Sequence, residues 1–170
     1  MGAPARLAGL VLVASLAASA CGRHAGPPPR LPGAFPPARA GEGRAIATSA
    51  LALQGSPYRN AGTDPTGFDC SGLVQYVFAK HGVMLPRGVR QQYAAGDAVA
   101  RNALAAGDLV FFTTVAPGAS HVGIVVEEDW FVHAPSARGV VRLDRLGAPY
   151  WAQRYVGAKR VVGGRAESRK

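Results

Sequence analysis

The chain has 170 residues, is 48% hydrophobic and carries a formal charge of +9. Without an N-terminal leader, about 150 residues remain, the usual size of one domain with one core, and the apolar content excludes a disordered chain. The charge comes from 16 arginines and 3 lysines scattered through an Ala- and Gly-rich sequence, so nucleic-acid binding is not expected. Compositional bias accounts for it, or attraction to an anionic surface such as cell-wall polymer or lipid headgroups.

In chain order, Arg6 precedes an apolar run over residues 7–16, and small residues fill 17–20. A spanning helix takes about 20 apolar residues, so residues 1–20 read instead as a secretory signal peptide. Cys21 is then the first residue after the cut. A cysteine there resembles the lipobox of bacterial lipoproteins, whose thiol is acylated and becomes the new N-terminus. The leucine usual three residues earlier is here Ala18. Lipidation of Cys21 is the first reading, plain secretion the second and an uncleaved anchor the third. Several acyl chains would hold the protein to a membrane stably. Gly22, rather than Asp, follows the cysteine, which points to the periplasmic face of an outer membrane if the cell has one. Residues 21–43 form a linker in which Pro27, Pro28, Pro29, Pro32, Pro36 and Pro37 favour extended polyproline II.

The folded body is expected over residues 44–163, with a basic tail at 164–170. Ile46, Ala50, Leu51 and Leu53 recur at roughly helical spacing, and Gly55 ends the run. Asp64-Pro65-Thr66-Gly67 is a turn signal. A helix is predicted from about Cys70 to His81, with Leu73, Val74, Val77 and Phe78 as its stripe and Gly82 as its cap. His81 is expected as a helix-end residue. A second short helix is predicted over 86–95. Strands follow at 109–112, 121–126, 130–133, 139–143 and 160–162, joined by short turns. Helices first and antiparallel strands after give an α+β fold.

Cys70 is the one cysteine outside the leader region, and it opens the helix. A helix start favours a thiolate through its unpaired N–H groups and its dipole. In a hairpin centred on Glu128, facing residues have numbers that sum to 256. His121 then faces Pro135, and His121 and His133 become diagonal neighbours on one side of the sheet. Nucleophile, base and orienting group can therefore meet as Cys70, His121 and His133. Cys70 as inert core, and the histidines as structural residues, stand beside that reading. A metal site of one Cys and two His lacks supporting CxxC or HxxxH spacing, so no metal is expected. A Cys21–Cys70 disulfide requires an unacylated Cys21.

Gly55-Ser56-Pro57-Tyr58, Phe68-Asp69-Cys70-Ser71-Gly72-Leu73-Val74, Leu85-Pro86-Arg87, Gly107-Asp108-Leu109-Val110-Phe111-Phe112, His121-Val122-Gly123-Ile124 and Val132-His133-Ala134 resemble, in order, the signatures of the NlpC-type cell-wall peptidases. The resemblance covers about residues 45–162. It implies a papain-like fold, N-terminal helices packed on an antiparallel sheet, and hydrolysis of amide bonds in peptidoglycan stem peptides or cross-links. It implies Cys70 as nucleophile, His121 as base and later acid, and His133 as third member. Tyr58 matches the loop tyrosine that helps the oxyanion site. Asp69 and Ser71 match positions near the substrate amine and the helix start. A Ser or Thr is common in the family after Leu-Pro-Arg, where Gly88 stands here. No cofactor is implied, the partners are peptidoglycan and a membrane through the lipid anchor, and oligomeric state is left open. Two alternatives keep the fold: a catalytically silent peptidoglycan-binding lipoprotein, and the same catalytic set acting on another amide or thioester.

Overall fold

The computed structural model describes residues 1–2 and 41–162. Residues 3–40 and 163–170 lie outside the described residues, and with them the lipidation cysteine, the basic tail and most of the predicted leader and linker; residues 41–43, expected in the linker, are described, and Glu42 and Gly43 already belong to the first helix. The folded body opens with α1 (Glu42–Leu51), whose Ile46, Ala47 and Ala50 are buried. A two-stranded hairpin follows, β1 (Thr63–Asp64) against β2 (Gly67–Phe68), around the predicted Pro65-Thr66 turn. Next is α2 (Cys70–Lys80), capped at its start by the Asp69 side chain. An Asp cap satisfies one of the amides that a helix start leaves unpaired. His81 closes α2 and its Nε2 lies 2.9 Å from the Ser49 hydroxyl, tying the two helices together.

The second helix is shorter than the sequence predicts. α3 is Val89–Tyr93 only, and Gly88 before it is extended. The remainder builds one antiparallel sheet from β3 (Asp97–Val99), β4 (Leu109–Phe112), β5 (His121–Glu127), β6 (Trp130–His133), β7 (Arg142–Arg145) and β8 (Tyr155–Arg160). Its order is β3-β8-β4-β5-β6-β7. A short α4 (Pro149–Ala152) precedes β8.

Two strand positions differ from the sequence reading. The strand expected at 139–143 begins three residues later, since Gly139 adopts the left-handed conformation and Val140 bridges Pro57 instead. The strand expected at 160–162 ends where it was expected to begin. Val161 and Val162 pack into the core beyond the ladder.

The sheet is apolar on both faces, which is why β4 reads as an unbroken run. Leu109 and Phe111 join α1 and α2 in the larger core, with Leu73, Val77, Phe78, Val122 and Ile124. Val110 and Phe112 face the other way, into a smaller core with Val125, Phe131 and Trp151. Each such buried side chain contributes about 1.5–3 kcal/mol. Two glycines permit close approaches near the chemistry. A Cβ on Gly72 would sit 1.9 Å from the Gly62 carbonyl, and one on Gly123 would sit 2.5 Å from the Phe131 ring. The first lets the Pro57–Phe68 region close on the start of α2; the second lets β6 lie flat against β5.

Candidate active site

Cys70 is the first residue of α2 and is half-buried against the larger core. Its sulfur lies where the backbone N–H of Val122, the residue after His121, favours the thiolate, as do the N–H groups of Ser71 and Cys70 itself. The helix start and the free end of β5 therefore converge. The helix-start expectation for the thiol is nevertheless overturned. Burial, then the charge of Asp69, push it up to about 11; desolvation outweighs the three amides.

His121 and His133 meet as the hairpin register predicts. Ile124 faces Val132 and Val125 faces Phe131, so the facing sum of 256 holds until a bulge at the turn. His121 Nε2 lies 2.8 Å from His133 Nδ1. Both rings are buried in the smaller core against Trp151, stacked at 5.4 Å on His121 and edge-on at 4.8 Å to His133. Burial, followed by the neighbouring His133, pulls His121 down to about 3. Burial also lowers His133, with Asp144 opposing and Arg142 assisting. No hydrogen bond joins Cys70 to either histidine among the described residues. Burial thus disfavours the charged form of the thiol and of both imidazoles.

Around Cys70 the predicted neighbours assemble. Tyr58 is half-buried, and its hydroxyl is raised by burial and then by the nearby Cys70 and Asp69. Asp69 is fully engaged inside the protein. Its Oδ1 accepts from Gly72 N–H at 2.7 Å and from Arg87 Nη1 at 3.0 Å, and its Oδ2 accepts from Arg87 Nη2 at 2.5 Å. Ser71 donates to Asp69 and accepts from Arg87 at 2.7 Å. Buried Gln92 donates to the carbonyls of Ser71 and Pro86, fixing α3 beside the start of α2.

Sequence reasoning missed an outer group. His133 Nε2 lies 3.1 Å from Asp144 Oδ2, which also accepts Trp151 Nε1–H at 3.0 Å, and Arg142 pairs with Asp144 Oδ1 at 2.6 Å. Alternation in Arg142-Leu143-Asp144 is a strand signal that places both charges on one face. The irregular stretch before it hides which strand they face.

A cleft of about 600 Å³ borders this region, lined by Gly88, Val89, Gln91, Ala119 and Ser120 among others. A larger one of about 1000 Å³ lies between α1 and the β5–β6 turn and touches none of these side chains.

A cysteine at a helix start, its sulfur beside the Val122 N–H of the strand that opens with His121 of a buried His–His couple, is a layout that suits nucleophilic catalysis. The chain belongs to the NlpC/P60 family, matched by residues 55–160. It is 42% identical over 113 residues to the murein DD-endopeptidase MepH of Escherichia coli (strain K12), covering 64% of this chain and 42% of that one. It is 41% identical over 110 residues to the murein DD-endopeptidase MepS/murein LD-carboxypeptidase of the same strain, covering 64% and 57%. A lipoprotein-like NLP/P60 family structure from Staphylococcus aureus superposes with a TM-score of 0.65 at 34% identity, covering 78% of this chain and 45% of that one. The chain spans about half the length of these two E. coli relatives.

Proposed function

We propose that this protein is a cysteine peptidase that hydrolyses amide bonds in peptidoglycan stem peptides or cross-links. The observation that carries the reading is the convergence of Cys70, at the start of α2, with the His121–His133 couple at the end of β5. Membership of the NlpC/P60 family and the murein endopeptidase names of MepH and MepS support the substrate class. The D,D cross-link is the first bond to test, since both relatives are named for it.

In the proposed reaction the Cys70 sulfur attacks the amide carbonyl while His121 takes the thiol proton. The charge that develops on the carbonyl oxygen is met by backbone N–H groups at the helix start and by the Tyr58 hydroxyl. His121 returns the proton to the leaving amine. Water, deprotonated by the same imidazole, then releases the acyl group from sulfur.

The chain is also proposed to be exported and held to a membrane by acylation at Cys21, with residues 21–43 as the tether. Mass spectrometry of the mature N-terminus tests that part: an acylated Cys21 supports it, and an unmodified N-terminus elsewhere refutes it.

The enzymatic reading is tested on purified sacculi. The wild-type protein should release muropeptides bearing new carboxyl and amine ends, and Cys70→Ser should release none above buffer. Chelator should leave release intact, and iodoacetamide should end it. Undiminished release by Cys70→Ser would sink the proposal.

A further inference from the structure

We infer that Asp144 is a positioning residue which, acting through His133, sets the tautomer of His121 and leaves Nδ1 as its basic atom. The inference deepens the proposed reaction and rests on it for its purpose, but its geometry stands without a substrate.

A chain of donors and acceptors links Asp144 to His121. An ionised carboxylate only accepts. Burial alone would raise Asp144, yet hydrogen bonds from His133 and Trp151 and the charge of Arg142 hold it down at about 2. Its Oδ2 takes the indole N–H of Trp151, a group that can only donate, at 3.0 Å. The same oxygen lies 3.1 Å from His133 Nε2. That nitrogen must therefore carry the proton. His133 is wholly buried and kept neutral, so its Nδ1 holds a lone pair. His121 Nε2, 2.8 Å away, must then be the donor. A neutral His121 has one proton, so its Nδ1 is left with a lone pair and no hydrogen-bond partner among the described residues. It is the only atom of the ring able to take a proton from Cys70.

Arg142 makes the arrangement robust. It faces His133 across β6 and β7 and pairs with Asp144 Oδ1 at 2.6 Å. Its positive charge offsets Asp144, so the carboxylate orients His133 without drawing a second proton onto it. A protonated His133 would present Nδ1–H to His121 and reverse the relay. Trp151 covers both rings and keeps the relay dry.

Asp144→Ala tests it by removal. It takes away the acceptor shared by His133 Nε2–H and Trp151 Nε1–H. The proton of His133 is then no longer held on Nε2, and the Nδ1–H tautomer of His133, and with it that of His121, becomes populated. The test uses the full chain labelled with ¹⁵N-histidine, and long-range ¹H–¹⁵N spectra report the tautomer of each ring. Wild type should show Nε2–H on His121 and on His133, and Asp144→Ala should show the Nδ1–H tautomer populated on both. On sacculi or a defined muropeptide, kcat should fall roughly 10²-fold, the scale of acid–base catalysis, while KM moves less than about threefold. Asp144→Glu should recover part of kcat, because a carboxylate returns. A wild-type spectrum with His121 as Nδ1–H overturns the inference even if no variant folds. A folded Asp144→Ala protein with both rings still wholly Nε2–H also overturns it. The spectra need no substrate, so failure of the peptidoglycan reading would leave this result standing.

Discussion

Two Asp–Arg pairs flank the site, and they act in opposite senses. Asp69 pairs with Arg87 beside the nucleophile, and Asp144 pairs with Arg142 behind the histidines. Each aspartate is mostly buried, and each bonds a further group: Asp69 the start of α2, Asp144 the ring of His133 and the indole of Trp151. Asp69 builds the helix start that holds Cys70, but its charge opposes the thiolate. Asp144 touches neither Cys70 nor His121, yet it directs where the base carries its lone pair. Adjacency to a reacting atom is thus a poor guide to a residue's part in the chemistry. The direction of hydrogen bonding between the two is a better one.

The contrast can be broken in graded steps. The largest effect is expected from Asp144→Ala, which should cut turnover by roughly 10²-fold, within the range of acid–base catalysis. Steady-state kinetics on a defined muropeptide check it, and a loss under tenfold would contradict the relay.

Acid should act next. His121 sits at about 3 when folded, against about 6.5 when unfolded. The unfolded chain therefore takes up a proton that the folded one refuses between those values. Stability should be full above about pH 6.5 and fall as pH drops, by about 1.4 kcal/mol per pH unit for each proton taken up on unfolding. Lowered His133 acts in the same direction. Asp144, depressed to about 2, adds its own loss only below its ordinary range near 4. Urea midpoints at pH 7.5, 5.5 and 4.5 should decline steadily, and a flat profile would contradict the buried neutral pair.

Asp69→Ala comes third. It removes a helix cap, a change that costs about 1 kcal/mol, and it leaves Arg87 without its carboxylate. The melting temperature should drop while the tautomers of the histidines stay as they are. The smallest effect is on thiol reactivity. Asp69→Asn keeps a capping oxygen but removes the charge that raises the thiol, so iodoacetamide should react faster with this variant than with wild type at pH 8. An unchanged rate would show that burial alone sets the thiol.

The parts legible in the sequence are those set by near neighbours. The apolar stripe of α2, Asp69 ahead of it and the short Glu127–Asp129 turn need only local periods, and the turn is tight enough to make the His121–His133 register countable. Asp144 escaped because residues 134–141 between β6 and β7 are irregular, so no count carries from one strand to the next. β3 escaped because Asp97-Ala98-Val99 is short and mostly exposed, and its partner β8 lies about 60 residues on. The raised thiol of Cys70 escaped for a related reason. The helix start that favours a thiolate is local, whereas the burial that opposes it comes from packing α2 on β5.

The proposed reaction places the acyl group of the substrate on the Cys70 sulfur. Rapid acid quench of the protein turning over a defined muropeptide, followed by intact and peptide mass spectrometry, measures it directly. A transient mass increase equal to the acyl fragment is expected, located on the peptide containing Cys70 and absent after iodoacetamide treatment. Product release that continues undiminished after Cys70 is alkylated, with no covalent species at any time, would contradict it.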